Sequence, residues 1–147
     1  MTTTARRART VALGIVSAVA LAVANGGAAN ASPAIPLNGG QESPAPSNYG
    51  AHGWFSYEID GHELCYTLQV SGLSAPARAA HIHVGPRNVP GPVVVPLMVQ
   101  NATSFAVSAC THADESLLAA IESDPSGYYV NVHTANNPAG EIRGQLK

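Results

Sequence analysis

Residues 54–61 read WFSYEIDG, and their apolar side chains recur at every second position. Phe55, Tyr57 and Ile59 therefore lie on one face of a predicted β-strand, because successive side chains of a strand point to opposite faces of the sheet. Asp60-Gly61 favours a tight hairpin turn, since glycine accepts a positive φ without steric cost. The pattern predicts one strand of a half-buried antiparallel sheet, followed by a turn and a returning strand.

The alternation continues along the rest of the chain. The returning strand places four apolar side chains inward: Leu64, Tyr66, Leu68 and Val70. Further short strands are predicted near residues 79–84, 93–97, 105–110, 128–134 and 141–146. Residues 116–121 (SLLAAI) instead predict one short helix, capped by Thr111 or Asp114. Many short strands with one short helix predict an all-β fold, a Greek-key β-sandwich or barrel.

The first 31 residues are predicted to be a cleavable signal peptide. Arg6, Arg7 and Arg9 form a basic start, an apolar run of about fourteen residues follows from Val11 to Ala24, and Ala29-Asn30-Ala31 supplies small residues for cleavage after Ala31. A membrane anchor is the weaker alternative, because a helix needs roughly 20 apolar residues to span a bilayer. We therefore expect a secreted or cell-envelope protein with no membrane span after cleavage.

The mature chain of about 116 residues is long enough for one domain with one core. It keeps four basic residues against nine acidic ones, a net charge near −5. A mildly acidic chain without a basic cluster is not expected to bind nucleic acid or anionic lipid. Residues 32–48 are rich in Pro, Gly, Ser and Asn and predict an extended leading segment, with at most an edge strand near Ile35–Leu37. The folded domain is predicted over residues 49–147.

Two cysteines remain in the mature chain, Cys65 and Cys110. In an oxidising compartment an even pair predicts a disulfide, with Cα atoms about 4.4–6.8 Å apart. Closing a loop of about 45 residues would stabilise the fold by up to roughly 4 kcal/mol. A pair of copper thiolates is the alternative.

The histidines of this chain are its best candidates for chemistry. His81 and His83 flank Ile82, so on a strand both imidazoles project from the same face. His133 lies on a later predicted strand, on the face that also carries Tyr129 and Asn131. If the two strands are close, three imidazoles converge, and neutral imidazole is a good ligand for copper and zinc. Three other histidines are candidates for a fourth ligand: His52, His62 and His112. The alternative is that all of these are solvent-facing polar residues without a ligand.

Several motifs occur in the order known from one protein family. They are LNGGQESP at 37–44, LCYTL at 64–68, AHIH at 80–83, GPVVVPL at 91–97, YVNVHT at 129–134 and NPAGEIRGQL at 137–146. Together they resemble the CHRD domain, a module first noted in chordin and widespread in exported bacterial proteins. The resemblance implies an interaction module, since chordin as a whole binds growth factors, but it names no extracellular or envelope partner for this chain.

The last motif also has a structural interpretation. Gly140 is free to take a positive φ in the turn that precedes the final strand. Glu141 and Arg143 share one face of that strand, with Gly144 on the other. We expect Arg143 to pair with an acidic residue on a neighbouring strand rather than to bind an anion.

The order of H-x-H, a late Val-His and an arginine in the final strand also resembles Cu/Zn superoxide dismutase, an eight-stranded Greek-key sandwich that holds copper with histidines. That enzyme also needs a bridging histidine and a zinc subsite in a long loop, whereas residues 85–92 contain no histidine. The fold is accordingly expected to be immunoglobulin-like or superoxide dismutase-like. Three functions remain open: a non-enzymatic exported binding module with a histidine site for copper or zinc, a dismutase-like copper redox enzyme, and a structural envelope protein without a metal.

Overall fold

The computed structural model describes residues 1–2 and 33–147, so the predicted signal peptide lies almost entirely outside the described residues. The described chain forms eight strands: β1 (Ile35–Asn38), β2 (His52–Asp60), β3 (Glu63–Ser71), β4 (Ala77–Val84), β5 (Val93–Leu97), β6 (Phe105–His112), β7 (Tyr128–Thr134) and β8 (Ile142–Gln145). Helix α1 (Glu115–Ser123) lies between β6 and β7, and short 3₁₀ turns occur at Gly39–Gln41 and Pro125–Gly127. Within the described ranges, no helix combines the length and the apolar character that crossing a bilayer requires.

All neighbouring strands are antiparallel and form one sheet in the order β5-β4-β7-β8-β1-β2-β3-β6. The sheet curls into a nearly closed barrel, with β5 and β6 as its two edges. After the β4–β5 hairpin the chain returns to place β6 beside β3, which is Greek-key connectivity. The predicted all-β Greek-key fold with one short helix is therefore confirmed.

The core fills the inside of the barrel with the apolar side of each strand. The inward residues predicted from the alternation in β3 are buried, as are Phe55 and Tyr57 of β2. In α1, Leu118 and Ile121 join this core. The Asp114 side chain accepts hydrogen bonds from the Ser116 and Leu117 amides at the start of α1, so Asp114, not Thr111, is the cap.

Strand β1 is an interior strand, so the expectation of an edge strand in the leading segment is wrong. It pairs with β2 on one side and with β8 on the other. The pairing with β8 is confined to Asn38 and Arg143, so the missing N–H of Pro36 removes no ladder bond on that side. Because Ile35 and Leu37 are buried in the core, the predicted division of the mature chain at residue 49 has no counterpart in the packing.

The predicted disulfide between Cys65 and Cys110 is confirmed. The two cysteines are direct partners across β3 and β6, and their Cα atoms are 3.9 Å apart. This separation is shorter than the predicted range of about 4.4–6.8 Å. Both side chains lie on the outward face of the sheet, and the bond fits an oxidising compartment.

Candidate metal centre

Strands β4 and β7 are neighbours, which is the condition on which the three-histidine hypothesis depended. In their register His81 is opposite Asn131, His83 is opposite Tyr129, and His133 is opposite Ala79. The apolar residues between them, including Ile82, point into the barrel and are fully buried. The three imidazoles therefore leave the outward face of the barrel together, with His81 and His133 as diagonal neighbours.

The structure brings His81, His83 and His133 into one group, which we call the histidine cluster. The His81 Nδ1 and His133 Nε2 atoms are 3.1 Å apart. One ligand nitrogen from each histidine lies within 4.8 Å of the other two. On a tetrahedral ion with metal–nitrogen bonds near 2.0–2.1 Å, two nitrogens lie about 3.3 Å apart. Small side-chain rotations would therefore bring all three nitrogens onto one ion.

Backbone carbonyls fix which nitrogen carries the proton in two of these rings. His83 Nδ1 lies 2.8 Å from the Gly91 carbonyl oxygen, and His133 Nδ1 lies 3.0 Å from the Pro138 carbonyl oxygen. Because a carbonyl oxygen only accepts hydrogen bonds, Nδ1 donates in both rings, and Nε2 keeps its lone pair when the ring is neutral. His81 Nδ1 then donates to His133 Nε2. Metal-binding histidines typically have such a carbonyl on their second nitrogen.

Burial keeps the cluster neutral. It lowers the pKa of His133 to about 4, an effect that the neighbouring His81 and His83 reinforce against the opposing hydrogen bond to Pro138. Burial also lowers the pKa of His81 and of His83. Neutral imidazole is the form that binds metal, so these rings need to lose no proton to bind an ion near neutral pH.

The structure places the three candidates for a fourth ligand away from the cluster. His52 is on β2, three strands from β7, which corresponds to about 14 Å across the sheet. His62 Nε2 lies 3.5 Å from a Glu115 oxygen, and His112 Nε2 lies 3.8 Å from a Glu63 oxygen. Among the described residues, the group of possible metal ligands that contains the histidine cluster includes none of these three.

A second group of possible ligand atoms is formed by Glu63, Cys65 and Cys110. Its two sulfurs are joined in the disulfide. They therefore offer no thiolate in this state, and the copper-thiolate alternative finds no support here.

A layer of buried polar side chains lies behind the histidine cluster. His83 stacks on Tyr129 with ring centroids 4.8 Å apart, and the Arg143 guanidinium carbon lies 3.3 Å from the centroid of the Tyr129 ring. Arg143 donates hydrogen bonds to the carbonyl oxygens of Pro86 at 2.7 Å and Val89 at 3.0 Å. It thereby fixes residues 85–92 beside the cluster.

The expected ion pair of Arg143 is wrong. Within residues 33–147, no acidic oxygen lies within salt-bridge distance of its guanidinium. The reason is that backbone carbonyls of residues 85–92, which carry no signature in the sequence, accept hydrogen bonds from both of its terminal nitrogens.

The other residues of the C-terminal motif hold the same region together. Gly140 has a φ of 135°, a positive value as predicted, and a methyl group there would clash with a Glu42 carboxyl oxygen. A methyl group on Gly144 would come within 2.6 Å of the Pro36 carbonyl oxygen, so glycine lets β8 approach β1. The fully buried Glu141 carboxylate accepts hydrogen bonds from the Ser74 amide and hydroxyl, the Asn48 and Asn137 side-chain amides and the Thr134 hydroxyl.

Two residues of this layer were not predicted from the sequence, Glu42 and Asn131. Both are buried next to Gly140. Their signal was present in the sequence: Glu42 lies in the LNGGQESP motif, and Asn131 shares the outward face of its strand with His133. What was missing was the knowledge that residues 39–48 fold over that face.

The comparisons with known proteins identify a family and nothing more specific. No curated protein and no solved structure matches the chain. The family model of the CHRD domain matches residues 34–146. The match includes all eight strands, the histidine cluster and the C-terminal motif. This chain therefore belongs to the CHRD domain family.

Proposed function

We propose that this chain is an exported, non-enzymatic binding module that holds one copper or zinc ion through His81, His83 and His133. The single observation that carries the proposal is the convergence of three imidazoles, two of which have their Nδ1–H groups bonded to backbone carbonyls. Those two hydrogen bonds hold the proton on Nδ1, leave the lone pair on Nε2 and fix the ring orientation, which lowers the entropic cost of ligation.

The donor set supports copper or zinc rather than a harder cation. Imidazole nitrogen suits both metals, whereas magnesium and calcium prefer oxygen ligands. With equal geometry, Cu(II) binds more tightly than Zn(II) to a given set of nitrogen ligands. Three protein ligands on a tetrahedral ion leave one open position. A water molecule or a side chain of a partner protein would occupy the open position. In the second case the bound ion would join this module to its partner.

Export is supported by the disulfide and by the sequence of the first 31 residues. The mature protein, isolated from the medium or the cell envelope of its natural host, should begin at Ser32. Recovery of the chain from the cytoplasm with its N-terminal residues intact and its cysteines reduced would contradict export.

The metal site can be tested by calorimetric titration of the purified mature protein, once with Cu(II) and once with Zn(II). We expect one ion per chain, with an affinity that falls at least about 100-fold in His133→Ala and in His81→Ala. His52→Ala is the matched control, because that histidine is exposed and lies on β2. If a variant with all three cluster histidines replaced by alanine binds the ion as tightly as the parent does, the proposal is wrong.

The same samples separate the rival functions. If the copper-loaded protein consumes superoxide faster than the triple alanine variant with the same total copper, the dismutase-like enzyme is the better description. If the protein binds neither ion and leaves its natural compartment without metal, the structural envelope protein is the better description.

A further inference from the structure

Five buried polar atoms of the described chain have no hydrogen-bond partner, and all of them lie on residues at least 91% buried. They are Gln41 Oε1, Glu42 Oε1, His83 Nε2, Asn131 Oδ1 and Arg143 Nε. Buried polar groups are almost always hydrogen-bonded, so a group of unpaired atoms requires an explanation. Three of these atoms belong to neighbouring side chains, because the Asn131 amide lies beside both the His83 ring and the Glu42 carboxyl.

His83 Nε2 and Asn131 Oδ1 are unpaired for the same reason. His83 donates its Nδ1–H to the Gly91 carbonyl, so its Nε2 atom is an acceptor when the ring is neutral. Asn131 Oδ1 is also an acceptor. Two acceptors cannot bond to each other. The donor of the Asn131 amide, Nδ2, instead donates to the Ala139 carbonyl oxygen at 3.4 Å, on the side of Gly140 and next to Glu42.

A half-turn of the Asn131 amide removes the conflict. The oxygen and nitrogen of a side-chain amide have nearly the same shape, so their exchange keeps the packing and gives up only the 3.4 Å hydrogen bond from Nδ2 to the Ala139 carbonyl oxygen. After the exchange, Nδ2–H donates to His83 Nε2, and Oδ1 accepts from Glu42, provided that the Glu42 carboxyl carries a proton. The three unpaired atoms then have partners, but the lone pair of His83 is no longer available to a metal ion.

We propose that Glu42 and Asn131 form a relay that controls the metal-binding lone pair of His83. When Glu42 is ionised, its charge favours the orientation in which the Asn131 amide donor lies beside it, and His83 Nε2 stays free. When Glu42 is protonated, it donates to Asn131 Oδ1 and the amide donor occupies His83 Nε2. Binding of the ion therefore releases the proton of Glu42 to solvent. This inference rests on the proposed metal site and assigns Asn131 and Glu42 as its positioning residues.

The electrostatics of Glu42 suit this role. Burial raises its pKa to about 7, an effect that Arg143 on β8, the Asn131 amide and the Ser43 backbone N–H partly offset. Arg143 is thus the charged group facing Glu42 from β8, while β7 presents the uncharged Asn131. The rings that face His83 are His81 on its own strand and Tyr129 and His133 on β7.

The test measures Zn(II) affinity by competition with a chelator between pH 6 and pH 8. Glu42→Gln keeps the shape of the side chain and supplies a permanent donor to Asn131 Oδ1. We expect this variant to bind Zn(II) about 10–100-fold more weakly than the parent at pH 8, the usual cost of disturbing an outer-shell partner. At pH 6 the two affinities should converge. Glu58→Gln, an exposed glutamate on β2, is the matched control and should follow the parent.

Two further measurements separate a relay from a structural role. Calorimetry in buffers of different ionisation enthalpy should show proton release on Zn(II) binding by the parent near pH 6, and less in Glu42→Gln. In the metal-free parent, the Asn131 side-chain amide resonances should titrate with the Glu42 carboxyl and stop titrating in Glu42→Gln.

The outcomes distinguish the two proposals. If the parent binds Zn(II) but Glu42→Gln has the same affinity and pH profile, the relay is wrong and the metal site stands. If the parent binds no Zn(II) at any pH, both the metal site and the relay of Glu42 and Asn131 are wrong. If the amide resonances do not respond to pH in the metal-free protein, the relay fails whatever the affinities are.

Discussion

The outward sides of the two halves of the barrel differ in exposure although the same strand alternation builds both. On β4, β7 and β8, which we call the covered face, Asn131 and Arg143 are each only 1% exposed. On β2, β3 and β6, the open face, outward residues such as Gln69 and Cys110 are exposed. Residues 39–48 and 85–92 pack over the covered face, and their carbonyls and side chains bond to it.

This comparison shows what turns an outward strand residue into a site. Histidines occur on both faces, but among the described residues only those on the covered face converge. His83 and His133 donate Nδ1–H to the carbonyl oxygens of Gly91 and Pro138, in the loops that follow their strands, whereas the Nδ1 of His52 on the open face lies 3.1 Å from the carbonyl oxygen of Gly50, two residues before it. Alternation decides the face of a side chain, and the loops above that face decide its dielectric surroundings and its partners. Substitutions on the covered side of the barrel and on the open face should therefore differ in their effects on stability and on metal binding.

The largest expected effect is that of Glu141→Ala. The carboxylate of Glu141 is fully buried and accepts hydrogen bonds from four residues of three separate segments. Its removal leaves several buried donors unpaired, so the free energy of unfolding should fall by about 3–5 kcal/mol in urea denaturation. Glu58→Ala, on the open face, should change it by less than about 0.5 kcal/mol. Equal losses in the two variants would contradict the distinction between the faces.

The sequence predicted the faces of the strands well. The inward residues of β2 and β3, the pairing of the cysteines and the common face of His81, His83 and His133 all follow from alternation and from the even cysteine count. These features depend on residues that are close in sequence or on a single pair. They need no knowledge of the loops.

The errors concern long-range packing. Pro36 suggested an edge strand, but β1 is interior because its pairing with β8 starts beyond the proline. Arg143 was expected to pair with an acid, but its partners are carbonyls of residues 85–92. Glu42 was missed because it reaches the covered face from a segment about ninety residues away from Asn131 in the chain. Backbone acceptors and loop trajectories leave no periodic signal in a single sequence.

The next effect is that of removing the disulfide, which lies on the open face. Replacing Cys65 and Cys110 together by serine should lower the free energy of unfolding by about 2–4 kcal/mol, because the unfolded chain gains the freedom of a closed loop. The affinity for Cu(II) should not change, because the disulfide lies outside the histidine cluster. A loss of copper binding in a variant that still shows the parent circular dichroism would mean that the two faces are coupled.

The pH dependence of stability offers a finer comparison within the covered face, measured on the metal-free protein. Glu42 has its pKa raised from 4.5 to about 7, so between these values the folded state holds a proton that the unfolded state has lost. The contribution of Glu42 to the free energy of unfolding therefore falls as pH rises, by up to about 1.4 kcal/mol per pH unit. His133 has its pKa lowered from 6.5 to about 4, so stability from this group is lost as pH falls through that window.

The two contributions oppose each other between about pH 4.5 and pH 6.5, and single variants should separate them. In Glu42→Gln the free energy of unfolding should rise with pH across this interval, and in His133→Ala its slope against pH should be more negative than in the parent. Urea denaturation at four pH values in the presence of a chelator measures both slopes. Identical slopes in the parent and Glu42→Gln would show that Glu42 titrates in the folded protein as it does in the unfolded chain.

The smallest expected effect is that of His112→Ala on the open face. His112 Nε2 lies 3.8 Å from a Glu63 oxygen, and the side chains of both residues are well exposed, at 80% and 44%. Exposed ion pairs of this kind contribute little, because solvent screens the charges and ordering two side chains costs entropy. The free energy of unfolding should therefore change by less than about 0.5 kcal/mol, and copper binding should stay at the parent level. A loss above about 1 kcal/mol that grows with protein concentration would instead mean that a second copy covers this face in solution. A second chain would then pack over the open face, whereas loops of the same chain pack over the covered face.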